Sequence, residues 1–165
     1  MLQMPERVRR HREMIRRFRT LPPNVADERW RTARHEAGHV VGALDTGVTP
    51  ILARVGRDRE RGTAGCVSYP VQSYYGAAGF IGELVQTLAA LYAENRGNWP
   101  RRQPGKWGWH HDARDMEAVF RGLSRSNYNH FLLTAHMRAR GLVVRRRLDI
   151  LRIAKRLETK RVWRP

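Results

Sequence analysis

Apolar residues recur at three- and four-residue steps between residues 27 and 47. This spacing predicts an amphipathic helix with one buried face. Asp27 is a suitable N-cap for it, and Gly47 is a suitable C-terminal stop. Gly38 lies in mid-helix, where glycine costs about 1 kcal/mol relative to alanine, so we expect another backbone or a ligand to approach it closely. The residues that share the apolar spacing are Trp30, Ala33, Ala37, Val40, Val41 and Leu44.

The pattern then changes to short β-type segments. Residues 51–55 and 66–69 predict two short strands, and the glycine-rich, charged stretch 56–65 predicts a long basic turn between them. Together they predict a β-hairpin that directly follows the helix.

The rest of the chain predicts mainly helix. The apolar run 80–93 is interrupted by Glu83 and Gln86, so it predicts a buried helix and not a membrane span, which needs about 18 apolar residues. Residues 96–111 are rich in Gly, Pro, Trp and Arg and predict a long loop. The overall expectation is a mainly α (α+β) fold. Its remaining predicted parts are helices at 112–123, 131–140 (ended by Gly141) and 143–162, with a loop at 127–129.

Chain length and charge indicate how the chain is divided and which parts of it are basic. The 165 residues suit one domain, at 27–165, preceded by a basic extension at 1–26. The formal net charge is +17, with 32 Lys and Arg against 15 acids. Residues 138–165 hold eleven of these cations against two acids. Such a field attracts polyanions, so non-specific nucleic-acid binding through the basic termini is expected. For residues 5–20, a membrane-surface helix or a solvated capping helix remain alternatives.

Cysteine content and the first residues bear on the compartment. Cys66 is the only cysteine, which excludes an intrachain disulfide and favours a reducing environment. Residues 1–20 are basic but lack the apolar core of a signal peptide. We therefore expect a cytoplasmic protein without a membrane span.

The candidate chemistry lies on the first predicted helix, where residues 35–39 have the sequence H-E-A-G-H. Residues four apart share a helix face, with Cβ atoms roughly 5–6 Å apart. His35 and His39 can therefore converge on one Zn²⁺ at about 2.0–2.1 Å each. Glu36 points beside this pair and can accept a proton from a metal-activated water. The alternative is an exposed helix that carries these residues by chance. The motif predicts two ligands and a base for metal-assisted hydrolysis.

The motif and three further segments occur along the chain in an order that resembles a known family. They are residues 35–41 (HEAGHVV), the two short strands with Gly62 and Gly65, residues 78–84 (AGFIGEL) and residues 108–112 (GWHHD). In this order, over about residues 30 to 160, they resemble the peptidase domain of the FtsH-type membrane-anchored AAA proteases. The ATPase module and the membrane anchor of that family have no counterpart among these residues. The resemblance implies a zincin-like helical domain with a short β-hairpin next to the HExxH helix.

The resemblance also implies a third zinc ligand. Asp112 matches the aspartate of the family's Gly-x-x-x-Asp element, which begins a helix. Met116 stands where the family usually has alanine, so Asp115 is a rival ligand. His110 and His111 are rivals too, because imidazole is a common zinc ligand. Asp112 could also serve only as a helix N-cap.

These observations predict a zinc-dependent, ATP-independent endopeptidase. Its substrate would be a flexible or unfolded polypeptide, held beside the hairpin by strand addition. One alternative is a regulatory metalloprotease of a mobile element or phage that cleaves a repressor. The other is a basic nucleic-acid-binding protein with a vestigial peptidase site.

Overall fold

The order of helices and strands was obtained from a computed structural model, which describes residues 28–58, 62–70, 76–95, 112 and 125–165. This part of the chain is mainly helical with one small antiparallel sheet, which confirms the predicted mainly α (α+β) class. The elements in chain order are α1 (Glu28–Asp45), β1 (Leu52–Asp58), β2 (Gly62–Ser68), α2 (Gly76–Glu94), α3 (Arg125–Arg145), α4 (Arg147–Lys160) and β3 (Val162–Trp163).

Helix α1 is the central element, in contact with α2, α4 and the hairpin. Its predicted apolar face is buried at Ala33, Ala37, Val40 and Val41. Trp30 is half-buried against the core, and Leu44 is 41% exposed. The helix ends at the predicted glycine, since Gly47 has a φ of +80°. There the Val48 amide donates to the Ala43 carbonyl at 2.9 Å, and the Gly47 amide donates to Leu44 at 3.3 Å. This pair of bonds is the Schellman arrangement that satisfies the last carbonyls of a helix. Asp27 lies outside the described residues.

The backbones of α1 and α2 approach each other closely at two glycines of α1. A Cβ atom on Gly38 would lie 2.5 Å from Cα of Ala90 and 2.6 Å from the carbonyl oxygen of Ala89. One turn later, a Cβ on Gly42 would lie 2.8 Å from Cα of Gln86. The prediction of a close backbone at Gly38 is therefore confirmed. The approach brings the C-terminal end of α2 beside the H-E-A-G-H turns.

The sheet has the strand order β2-β1-β3. β1 and β2 pair antiparallel from Leu52↔Ser68 to Asp58↔Gly62, so the predicted hairpin is confirmed. The prediction of a turn across 56–65 is wrong, because strand pairing continues to residues 58 and 62. The cross-strand hydrogen bonds offset the low strand propensity of the glycines in this stretch. Within the described sheet, β2 is an edge strand and packs on α1.

Helix α3 differs from its prediction at both ends. It runs from Arg125 to Arg145, through the predicted loop at 127–129 and through Gly141. The boundary at Gly141 was wrong because packing overrides a glycine cost of about 1 kcal/mol in a helix interior. The side chains of α3 that pack in the core are Leu132, Ala135, Ala139, Leu142 and Val143.

The last predicted helix, 143–162, is shorter than expected. Residues 143–145 belong to α3, and α4 ends at Lys160. Arg161 adopts a left-handed φ of 61°, and its amide donates to the Leu157 carbonyl. This reversal lets β3 pair antiparallel with β1, with Arg54 opposite Val162. A two-residue strand has no measurable periodicity, so the sequence pattern did not predict it.

Several predictions fall outside the described residues. They concern the extension at 1–26, the loop at 96–111 and the predicted helix 112–123 beyond Asp112 itself. Among the helices that the structure describes, none has the length and apolarity needed to cross a membrane.

Candidate metal centre

Helix α1 presents a row of three side chains at four-residue steps, namely Arg31, His35 and His39. The row forms because side chains four apart in a helix lie on one face. His35 is buried and His39 is half-buried. Their rings meet edge-on, with centroids 4.9 Å apart and an interplanar angle of 81°. The two imidazoles predicted to act together therefore face one location.

Asp112 comes to this location from 77 residues beyond His35. Its Oδ2 atom lies 2.9 Å from Nε2 of His35, and its Oδ1 atom lies 3.2 Å from Nε2 of His39. Asp112 is itself buried. The structure thus brings together His35, His39 and Asp112, the three residues proposed as ligands. The rivals His110, His111 and Asp115 lie outside the described residues.

The geometry of the three residues fits a divalent cation. Ligand atoms at about 2.0–2.1 Å from a tetrahedral ion are about 3.3 Å from one another. The ligand atoms available here all lie within 4.8 Å of one another, and the two His–Asp separations of 2.9 and 3.2 Å are close to the tetrahedral value. The group could therefore hold a metal ion. Two imidazole nitrogens and a carboxylate are compatible with zinc and with other first-row metals.

Without a metal, the same atoms share protons. Burial by itself lowers the pKa of His35, but the adjacent Asp112 carboxylate and the nearby Glu94 carboxylate together raise it well above its ordinary value. For Asp112, burial acts to raise the pKa, and the two histidines outweigh it and hold the pKa well below the usual range. The favoured metal-free state is an ionised aspartate beside a protonated histidine. A metal ion would have to displace that proton.

Glu36 lies next to the histidines and against the hairpin. It is buried, and a Cβ atom placed on Gly65 of β2 would lie 2.5 Å from its Cγ. A side chain at residue 65 would therefore displace the Glu36 carboxylate from this position. Burial raises the pKa of Glu36, while the two histidines oppose the rise. A raised pKa makes the carboxylate a stronger proton acceptor.

Two further contacts were not predicted, and both involve the last turn of α2. Glu94 lies 2.6 Å from the Arg31 guanidinium and 3.4 Å from Nδ1 of His35. The Arg34 guanidinium donates to the carbonyl oxygen of Ala93. The only sequence signal was an acid directly after the apolar run 80–93, which could equally have marked the end of a helix.

The chain was compared with families and with single proteins. No protein-family model matches it, and no curated protein matches it. The chemistry of the site therefore rests on its own geometry.

Proposed function

We propose that the protein is a zinc-dependent peptidase with His35, His39 and Asp112 as the metal ligands. The observation that carries the proposal is the convergence of these three residues, with the buried Glu36 carboxylate beside them. This set of ligands and one nearby carboxylate is the minimum for metal-assisted hydrolysis. The resemblance to FtsH-type peptidase domains supports zinc among the compatible metals.

The protein's own residues have separate roles in this proposal. Zinc, when bound, would act as a Lewis acid on a carbonyl oxygen and on a water molecule. Glu36 accepts a proton from the attacking water and then passes it to the leaving amine. Gly65 keeps the space that this carboxylate occupies. Asp112 contributes a negative charge that offsets the cation, and its own contacts orient both imidazoles.

The position of β2 supports a polypeptide substrate. β2 is an edge strand of the described sheet, and its Gly65 is in contact with Glu36. An edge strand can pair with an extended peptide through main-chain hydrogen bonds, which tolerate varied side chains. A peptide added to β2 would run past the Glu36 carboxylate. We therefore propose flexible or unfolded polypeptides as the substrate class, without a requirement for ATP.

The test is cleavage of a flexible peptide by the zinc-loaded protein and its Glu36→Gln variant. The variant should keep its zinc and lose about 10²–10⁴-fold in rate, because an amide cannot accept the proton. Glu28→Gln is the matched control, since it makes the same change in the first turn of the same helix. Equal loss in both variants, or retained activity in Glu36→Gln, contradicts the role of Glu36. Cleavage of unstructured casein separates a broad peptidase from a regulatory one that accepts a single repressor.

A second candidate function is binding of nucleic-acid backbones, favoured by the outer face of α4. We define this outer face by five exposed cations, which are Arg147, Arg152, Lys155, Arg156 and Lys160. Among the described residues, the Asp149 side chain pairs with Arg146 and Arg152, and the Glu158 side chain pairs with Lys155. Among the described residues, Arg147, Arg156 and Lys160 form no ion pair. Unpaired guanidinium groups are well suited to phosphate oxygens.

A further inference from the structure

Glu94 occupies a position that is unfavourable for a carboxylate. It is the last residue of α2, where the helix dipole disfavours negative charge by about 0.3–1 kcal/mol. Its side chain is only 2% exposed, and burial of a charge is costly unless the charge is paired. An alanine at the same place would avoid both costs. The contacts of Glu94 must therefore compensate for both costs.

Glu94 lies between two residues of the α1 row. Its Oε1 atom is 2.6 Å from the Arg31 guanidinium, and its Oε2 atom is 3.4 Å from Nδ1 of His35. On the other side of the same ring, Nε2 of His35 is 2.9 Å from Asp112. The His35 ring thus has a carboxylate at each nitrogen. Only the Nε2 side also faces His39 and the proposed metal position.

We propose that Glu94 is a positioning residue that holds the His35 ring through Nδ1, so that Nε2 is directed to the metal. This proposal rests on the proposed metal centre. An imidazole that binds a metal through one nitrogen carries a proton on the other, and that proton needs an acceptor. Glu94 supplies the acceptor. Arg31 holds the second oxygen of Glu94 and fixes the carboxylate in place.

A purely structural role for Glu94 would be to tie α1 to α2. That junction already has the close approach of Gly38 and Gly42 to α2. It also has the bond from Arg34 to the carbonyl of Ala93. Neither contact reaches the His35 ring. A test must therefore separate metal affinity from the stability of the helix pair.

The experiment measures the zinc affinity of the full chain by competition with a chromophoric chelator. Glu94→Met keeps the approximate size but removes the acceptor, and we expect it to weaken zinc binding about 10–100-fold. Glu94→Gln keeps one acceptor oxygen and should restore part of this loss. Glu158→Gln, on the surface of α4, is the control for the loss of one negative charge and should bind zinc as the wild type does.

Two further readouts separate the possible outcomes. In the zinc-loaded wild type, the Nδ1 proton of His35 should give a downfield, slowly exchanging NMR signal, which Glu94→Met should shift or abolish. Thermal unfolding of the metal-free variants reports the structural contribution separately. If the wild type binds zinc, and Glu94→Met has the same zinc affinity and the same His35 NMR signal as the wild type, the role of Glu94 is overturned and the metal centre is not. A wild type that binds no zinc would overturn the metal centre and this role together.

Discussion

The α1 row of Arg31, His35 and His39 and the outer face of α4 both carry charged side chains, but their surroundings differ. On α1, His35 is buried and Arg31 is half-buried, and both are matched, since each lies beside Glu94 and His35 also lies beside Asp112. On the outer face of α4, the cations are exposed, and several have no acidic partner among the described residues. Buried matched charges depend on geometry, whereas exposed charges act mainly through their summed field. Substitutions should therefore have large, specific effects on the first face and small, additive effects on the second.

The largest expected effect on stability comes from the contact between α1 and α2 at Gly38, which holds the α1 row in place. Gly38→Ala would put a Cβ atom 2.5 Å from the backbone of Ala90, which cannot move as a side chain can. We expect a loss of about 1–3 kcal/mol or more in the free energy of unfolding, with weaker zinc binding. Urea unfolding followed by circular dichroism measures the change.

A matched control is Gly82→Ala in α2. The nearest atoms to a Cβ there are 3.7 Å away, on Thr46, which is an ordinary contact. This variant should be neutral or more stable, because alanine is favoured over glycine in a helix by up to about 1 kcal/mol. If both variants unfold alike, the close approach of α1 and α2 does not limit stability.

The comparison also predicts how zinc binding depends on pH. The pKa of His35 in the metal-free protein is raised, by Asp112 and Glu94 against the effect of burial. The protonated His35 therefore stabilises the metal-free fold below its unfolded pKa, and this contribution is lost as pH rises through the folded pKa. Ionised Asp112, whose pKa is lowered, stabilises the fold above its unfolded pKa and loses this effect as pH falls through the folded value.

Zinc must replace the His35 proton, so its affinity should rise with pH until that folded pKa is reached. The expected slope is about tenfold per pH unit for one released proton. Chelator competition between about pH 6 and pH 8, in a non-coordinating buffer, measures it. An affinity that does not change over this range would mean that His35 is not protonated in the metal-free site.

The smallest expected effects concern the outer face of α4. The combined variant Arg147→Gln, Arg156→Gln and Lys160→Gln should change the free energy of unfolding by only about 0.5 kcal/mol. If this face binds phosphate backbones, the variant should weaken binding to duplex DNA and reduce its dependence on salt between about 50 and 200 mM. Fluorescence anisotropy with a labelled duplex measures both.

The control for this surface removes three cations elsewhere, by Arg54→Gln, Arg138→Gln and Arg140→Gln, all at exposed positions. Equal losses in both triple variants would show that only the total charge matters. Binding that is absent in the wild type even at low salt would remove the support for the nucleic-acid candidate.

The surroundings of the α1 row show which parts of the candidate site the sequence could predict. The α1 site residues follow from local spacing, because His35, Glu36 and His39 lie within two turns of one helix. The contact of Gly38 was predictable as well, since glycine in mid-helix needs a reason. The role of Glu94 was not predictable, because its partner Arg31 lies 63 residues away and nothing local marks the pair.

The predictions for the end of α3 and for β3 failed because both depend on long-range packing. Gly141 was expected to end a helix, and burial of Leu142 and Val143 carries α3 past it. β3 depends on its pairing with β1, which no local pattern of two residues can indicate. Local rules thus identified His35, Glu36 and His39 as candidates, while long-range packing set the ends of the helices and strands.

The most direct test of the metal centre is the zinc content of the purified protein, measured by mass spectrometry beside that of Asp112→Asn. The wild type should carry about one zinc per chain, and Asp112→Asn should lose most of it, because two histidines alone cannot hold a catalytic site. Asp149→Asn on α4 controls for the same chemical change, and Asp115→Asn tests the rival ligand; both should retain zinc. A wild type that neither carries nor tightly binds zinc, or a larger loss in Asp115→Asn than in Asp112→Asn, would contradict the site of His35, His39 and Asp112.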